Sequence, residues 1–183
     1  MSTKQAIENH QHRCDIRRQQ FKDVGYLGPW IDEPDRVEFK AHGLDCLLIR
    51  QPDLFHWCGY VGVLKDHPSY GKNYDDMDIN IHGGLTYAEE CGGHVCHFTE
   101  NEDKAFWFGF DCAHFQDLSP GMEMHRKVIE QTPNSPKEIK EIHQKLQELK
   151  NLSSYEFENS YRDLNYVKEQ TIQLALQLKN LAS

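Results

Sequence analysis

The segment Ala105 to Asp117, AFWFGFDCAHFQD, constrains this chain more than any other. Six of its first seven residues are apolar or glycine, and four of those are aromatic. Such a run predicts a buried β-strand. Four reactive side chains follow at once: Asp111, Cys112, His114 and Asp117. Polar and metal-seeking groups at the end of a core strand sit where pockets form and where pKa values move readily. A second segment, Ile79 to Tyr87 (INIHGGLTY), repeats the arrangement: an apolar run, then His82, then Gly83 and Gly84. If the two strands are neighbours, His82, Asp111 and His114 converge at one end of a sheet.

The rest of the pattern predicts an α+β fold, an antiparallel β-sheet core with a C-terminal helix pair. Cys46 to Arg50, Trp57 to Leu64, Ile79 to Tyr87, His94 to Thr99 and Ala105 to Cys112 read as strands, with a hairpin turn at Asn101–Asp103. After Pro133 the apolar period changes from two to about 3.6. Ser135, Pro136 and Glu138 form a helix start, followed by the stripe Ile139, Ile142, Leu146, Leu149. Residues 151–159 read as a turn. Ser160 to Asp163 offers a second capping box before Leu164, Val167, Leu174, Leu178 and Leu181. Strands followed by helices argue for α+β rather than a doubly wound fold. Residues 1–29 are expected to be a partly helical extension, with a single domain over 30–183 (sheet 36–117, helices 135–181). The two apolar stripes suggest a homodimer.

Composition narrows the function classes. Of 183 residues, 29 are Asp or Glu against 20 Lys or Arg, a formal charge of -9. An acidic surface repels phosphate backbones, so general nucleic-acid binding is not expected, while a local pocket for one small anion is compatible. No apolar run reaches membrane-spanning length, and the polar N-terminus is no signal peptide, so a cytoplasmic location is expected. The six cysteines are then expected to be reduced, with Cys46 and Cys58 as core.

Several groups could carry chemistry. Cys91, His94, Cys96 and His97 lie within seven residues and could hold zinc with His82 or His114, although the spacing is not that of a zinc finger or ribbon. The reading adopted is that no metal and no cofactor is bound there. Cys112 beside Asp111 and His114 has the ingredients of a thiol nucleophile, but a nearby carboxylate disfavours the thiolate. The His82-Gly83-Gly84 turn offers backbone N–H groups without a Cβ in the way. Tyr70 and Tyr74, in the polar loop Lys65 to Asp78, suit a lid over a planar ligand.

The motifs Trp57 to Val61, His67-Pro68, His82 to Tyr87, Cys96-His97 and especially Trp107 to His114 resemble a family of bacteriophage and prophage proteins. Tyr161 to Asp163 followed by Tyr166-Val167 is similar to that family's C-terminal end. The resemblance spans roughly Trp30 to Leu181. The chain departs from the pattern at Phe115-Gln116, where the family has a small residue and glycine, and at Gly92 to His94 between the two cysteines. The resemblance implies a viral context and supplies no reaction. The combined expectation is a pocket for a small anionic, nucleotide-like molecule formed by Tyr60, His82, Gly83, Gly84, Trp107, Asp111, His114 and Arg162. In a virus it would act as a sponge for a host immune signal. The alternatives are hydrolysis of such a molecule, with His82, Asp111, Cys112 or His114 as catalytic groups, and a zinc-stabilised interaction module.

Overall fold

The computed structural model of the chain describes residues 2–96, 104–131, 141, 145 and 159–182. Five antiparallel strands form one sheet: β1 (Arg36–Ala41), β2 (Leu44–Arg50), β3 (Trp57–Val63), β4 (Tyr87–Glu90) and β5 (Phe106–Asp111), in the order β1-β2-β3-β5-β4. Among the described residues three helices accompany it with full bounds: α1 (Thr3–Asp23), α2 (Pro120–Gln131) and α3 (Leu164–Leu181). The fold is α+β, with a C-terminal helix on an antiparallel sheet.

The near-continuous apolar runs of β2, β3 and β5 arise because both sheet faces are covered. On one face, Cys46, Leu48, Trp57, Val61, Phe108, Phe110 and Cys112 meet Val167, Leu174, Ala175 and Leu178 of α3. Gly59 is required there, since a Cβ would lie 2.3 Å from the Thr171 hydroxyl. On the other face, Leu47, Ile49 and Trp107 pack under Val95 and Ala105. A third cluster joins Cys14 and Phe21 of α1 to Trp30, Phe55 and Met124. The segment expected to be an extension is therefore a docked helix. Its inward residues, Ala6, His10, Cys14 and Phe21, are spaced for one helical face but are mostly weakly hydrophobic.

A buried ion network ties these layers together. Arg50 is fully buried between the rings of Phe55 and Trp57, 4.8 and 4.2 Å from their centroids. It donates to Glu33 at 2.7 Å and to the Tyr161 hydroxyl at 2.8 Å, and its Nε lies 3.2 Å from Asp35. Glu33 also accepts from Trp57 Nε1 and from the Leu164 amide at the start of α3.

Several sequence expectations are corrected. Ile79 to Thr86 is loop, and only Tyr87 of that predicted strand belongs to β4. Ile79, Ile81 and Leu85 pack on the core cluster that α3 shares with the sheet without forming a strand, and the Gly83 and Gly84 turn (φ +66° and +85°) ends any extended run. Strand β1 and helix α2 were not singled out. The second helix is capped by Asp163, whose carboxylate accepts the Tyr166 amide at 2.8 Å, and not by Ser160. The first helix of the expected pair, the turn at 151–158 and the hairpin at 101–103 lie outside the described residues; Glu141 and Lys145 alone of that helix are described, and both are helical.

Cys91 and Cys96 are not reduced but joined in a disulfide. Arg36 secures this loop by donating to the carbonyls of His94 and Cys96. His94 stacks on His10, with ring centroids 4.7 Å apart, and burial holds its pKa down to about 4. The alternative of a zinc cluster at Cys91, His94, Cys96 and His97 loses two of its four ligands to this disulfide, and His97 lies outside the described residues. The other four cysteines are buried thiols. The Lys65–Asp78 loop is not placed as a lid on the histidine cluster. His67 Nε2 lies 2.9 Å from the carbonyl of Leu178 at the C-terminal end of α3, and Tyr70 packs on Phe106 and donates to Glu90.

Candidate functional site

The chain leaves β5 at Asp111, passes Cys112 inward, and turns at His114 to bring Asp117 back beneath it; the Asp117 amide donates to the His114 carbonyl. The His82 loop and the N-terminal end of α3 arrive at the same place. Asp117 is the hub. Its Oδ2 lies 2.7 Å from His82 Nε2, 3.7 Å from His114 Nδ1, and accepts the His114 amide at 3.0 Å. Its Oδ1 accepts Arg162 Nε at 2.8 Å. Burial alone would raise the Asp117 carboxyl, yet the hydrogen bonds from Arg162, His82 and the His114 amide outweigh it and hold it below the ordinary range.

The two imidazoles differ in freedom. His82 is engaged at both nitrogens, since Nδ1 lies 2.9 Å from the Tyr166 hydroxyl, and its backbone amide donates to Gln170. The His114 ring stands edge-on to His82, centroids 5.4 Å apart, and is 32% exposed. Its Nδ1 is buried between Asp117 and Asp111, which is 3.9 Å away, and has no hydrogen-bond partner among the described residues. Gly83 makes room for this ring: a Cβ there would meet it at 2.1 Å. Arg162 lies over the Tyr166 ring at 4.8 Å.

Asp111 also faces a second space. A cavity of about 340 Å³ is lined by His56, Cys58, Tyr60, Tyr87, Phe110 and Asp111, with Gln51, Thr86 and Ala113. Tyr60 and Tyr87 meet edge to face at 5.3 Å. His56 is 6% exposed, and its Nδ1 has no hydrogen-bond partner among the described residues. Burial lowers its pKa and so favours the neutral ring.

The predicted site residues are thus divided. His82, Gly83, His114 and Arg162 come together, and Asp111 connects them to Tyr60. Gly84 is part of the turn, and its amide is taken by the Ile81 carbonyl. Trp107 is fully buried on the sheet face that also carries Tyr60 and Tyr87, packed under Val95 and Ala105, and it does not line the cavity. Cys112 is core beneath α3 and 1% exposed, and burial pushes its thiol above the ordinary range, which disfavours the thiolate a nucleophile needs. Asp117, Tyr166 and His56 were not chosen from the sequence. Asp117 had a signal, lying three residues after His114 in the same segment. Tyr166 stood in the Tyr166-Val167 motif with nothing to place it beside His82, and His56 had no signal without the fold. Comparison with protein-family models, curated proteins and solved structures gave no match.

Proposed function

We propose that the protein binds a small nucleotide-like molecule, with a planar ring in the Tyr60–Tyr87–Phe110 cavity and an anionic group against His114 and Arg162. The observation that carries this reading is Asp111, which lines the aromatic cavity and stands beside His114. The cavity volume is at the lower end of the range for small-molecule sites. The unpartnered His56 Nδ1 offers a polar contact to a ring heteroatom. Only Nε of Arg162 is held by Asp117, which leaves the outer guanidinium nitrogens for an anion. The viral use, sequestration of a host immune nucleotide, rests on the family resemblance and not on the site. No described helix is long and apolar enough to cross a membrane. The homodimer expected from the two C-terminal stripes now rests on Ile139 to Leu149, because the α3 stripe is spent on the sheet.

Native mass spectrometry of protein taken directly from cell extract, with a nucleotide panel in thermal-shift assays, tests this. A retained mass is expected. His114→Ala and Arg162→Ala are expected to weaken binding tenfold or more, since a hydrogen bond to a charged group is worth about 1.5–3 kcal/mol, with little change in Tm. No retained mass and no shift with any nucleotide would reject the reading. The position of His114, Nδ1 toward two carboxylates and ring partly exposed, also favours hydrolysis with His114 as general base. Product formation that is lost in His114→Ala while ligand binding survives would select it.

A further inference from the structure

We propose that His82, His114 and Asp117 form a binding site for one divalent transition-metal ion. One ligand atom from each residue lies within 4.8 Å of the other two. An ion bonded at about 2.0–2.2 Å to nitrogen and oxygen holds its ligand atoms roughly 3–3.5 Å apart. The observed separations from Asp117 Oδ2, 2.7 Å to His82 Nε2 and 3.7 Å to His114 Nδ1, bracket that range. The third separation, between the two imidazoles, is within 4.8 Å, so closing the shell requires the rings to turn toward each other.

A second observation points the same way. The buried His114 Nδ1 has no hydrogen-bond partner among the described residues, a condition that costs free energy unless something fills the position. Asp117 Oδ2 accepts the His114 amide with one lone pair, and the other is directed to His82. An ion there takes the place of the proton between His82 and Asp117. Coordination through His82 Nε2 puts the remaining ring proton on Nδ1, where it donates to the Tyr166 hydroxyl. Arg162 holds the other Asp117 oxygen and so fixes the carboxylate without competing for Oδ2. Ligands oriented by such outer partners are the usual construction of metal sites.

Two imidazoles and one carboxylate suit zinc, iron(II) or manganese(II) rather than magnesium or calcium, which prefer oxygen shells. Three protein ligands leave a coordination position for water or for an anionic molecule. The inference stands apart from the pocket reading, because uptake of the ion requires no organic ligand.

Calorimetry with Zn²⁺ on chelator-treated protein is expected to give one ion per chain, with no heat from Mg²⁺. Co²⁺ is expected to give visible d–d bands without a near-ultraviolet thiolate band. His114→Ala and Asp117→Asn are expected to weaken uptake 100-fold or more, and Tyr166→Phe by about 10–100-fold. Absence of uptake by folded wild-type protein, a thiolate band, or undiminished uptake in folded His114→Ala would each overturn the proposal. The thiolate test uses wild-type protein and so survives a variant that fails to fold. Because these titrations use metal alone, their failure leaves nucleotide binding by chelated protein as a separate result.

Discussion

Gly83 shows how one missing methyl group shapes the site. At φ +66° it occupies the left-handed region, and its Cα lies against the flat of the His114 ring. Gly83→Ala introduces both backbone strain and a clash at 2.1 Å, so the ring must move. We expect a loss of about 1–3 kcal/mol in urea denaturation, together with loss of Zn²⁺ and ligand binding. Retained binding at wild-type affinity would show that His114 does not act from this position. The sequence exposed His82, Gly83 and His114 as a group because each follows an apolar stretch. It could not exclude Trp107 and Cys112, because alternation along β5 sends successive side chains to opposite faces and both faces of this sheet are buried. An aromatic or thiol in such a strand reads the same whether it lines a pocket or fills a core.

At the scale of elements, the Glu33–Arg50–Tyr161 network locks the beginning of α3 onto the β2–β3 junction. Burial would raise the Glu33 carboxyl, but hydrogen bonds from Tyr161, the Leu164 amide and Arg50 prevail and lower it. A carboxylate with a lowered folded-state pKa adds stability that is present above its unfolded value and lost as pH falls through the folded value. Stability should therefore decline as pH drops below the ordinary glutamate value of 4.5. Glu33→Ala leaves the buried Arg50 with Asp35 as its remaining carboxylate, and should cost about 3 kcal/mol at pH 7. The acid-dependent part should shrink in that variant, measured by urea unfolding across pH. An unchanged pH slope would show that other carboxylates carry the effect. Nothing in the sequence marked Arg50, which closes an apolar strand where a surface cation is the ordinary expectation. Its partners come from positions 17 residues before and 111 residues after it.

For the whole molecule, the order strands-then-helices was legible because the apolar period changes from two to 3.6 after Pro133. The docking of α1 was not, since Ala6, His10 and Cys14 give little hydrophobic contrast. Phe21 and Cys14 are nevertheless fully buried, and Arg18 pairs with Asp35 at 2.6 Å. Removal of residues 1–24 is expected to abolish cooperative unfolding, followed by circular dichroism; a sharp transition in the truncated chain would make α1 dispensable. The distance in sequence between the parts of the site has a consequence in time. His82 waits for Tyr166, 84 residues downstream, and Asp117 waits for Arg162. At a synthesis rate of about 5–20 residues per second, the histidine emerges roughly 4–17 seconds before its tyrosine. A nascent chain cut short before Arg162 has every described strand of the sheet but lacks the partners that hold Asp117 and His82, so the cluster is assembled last, long after the sheet that carries it has been made.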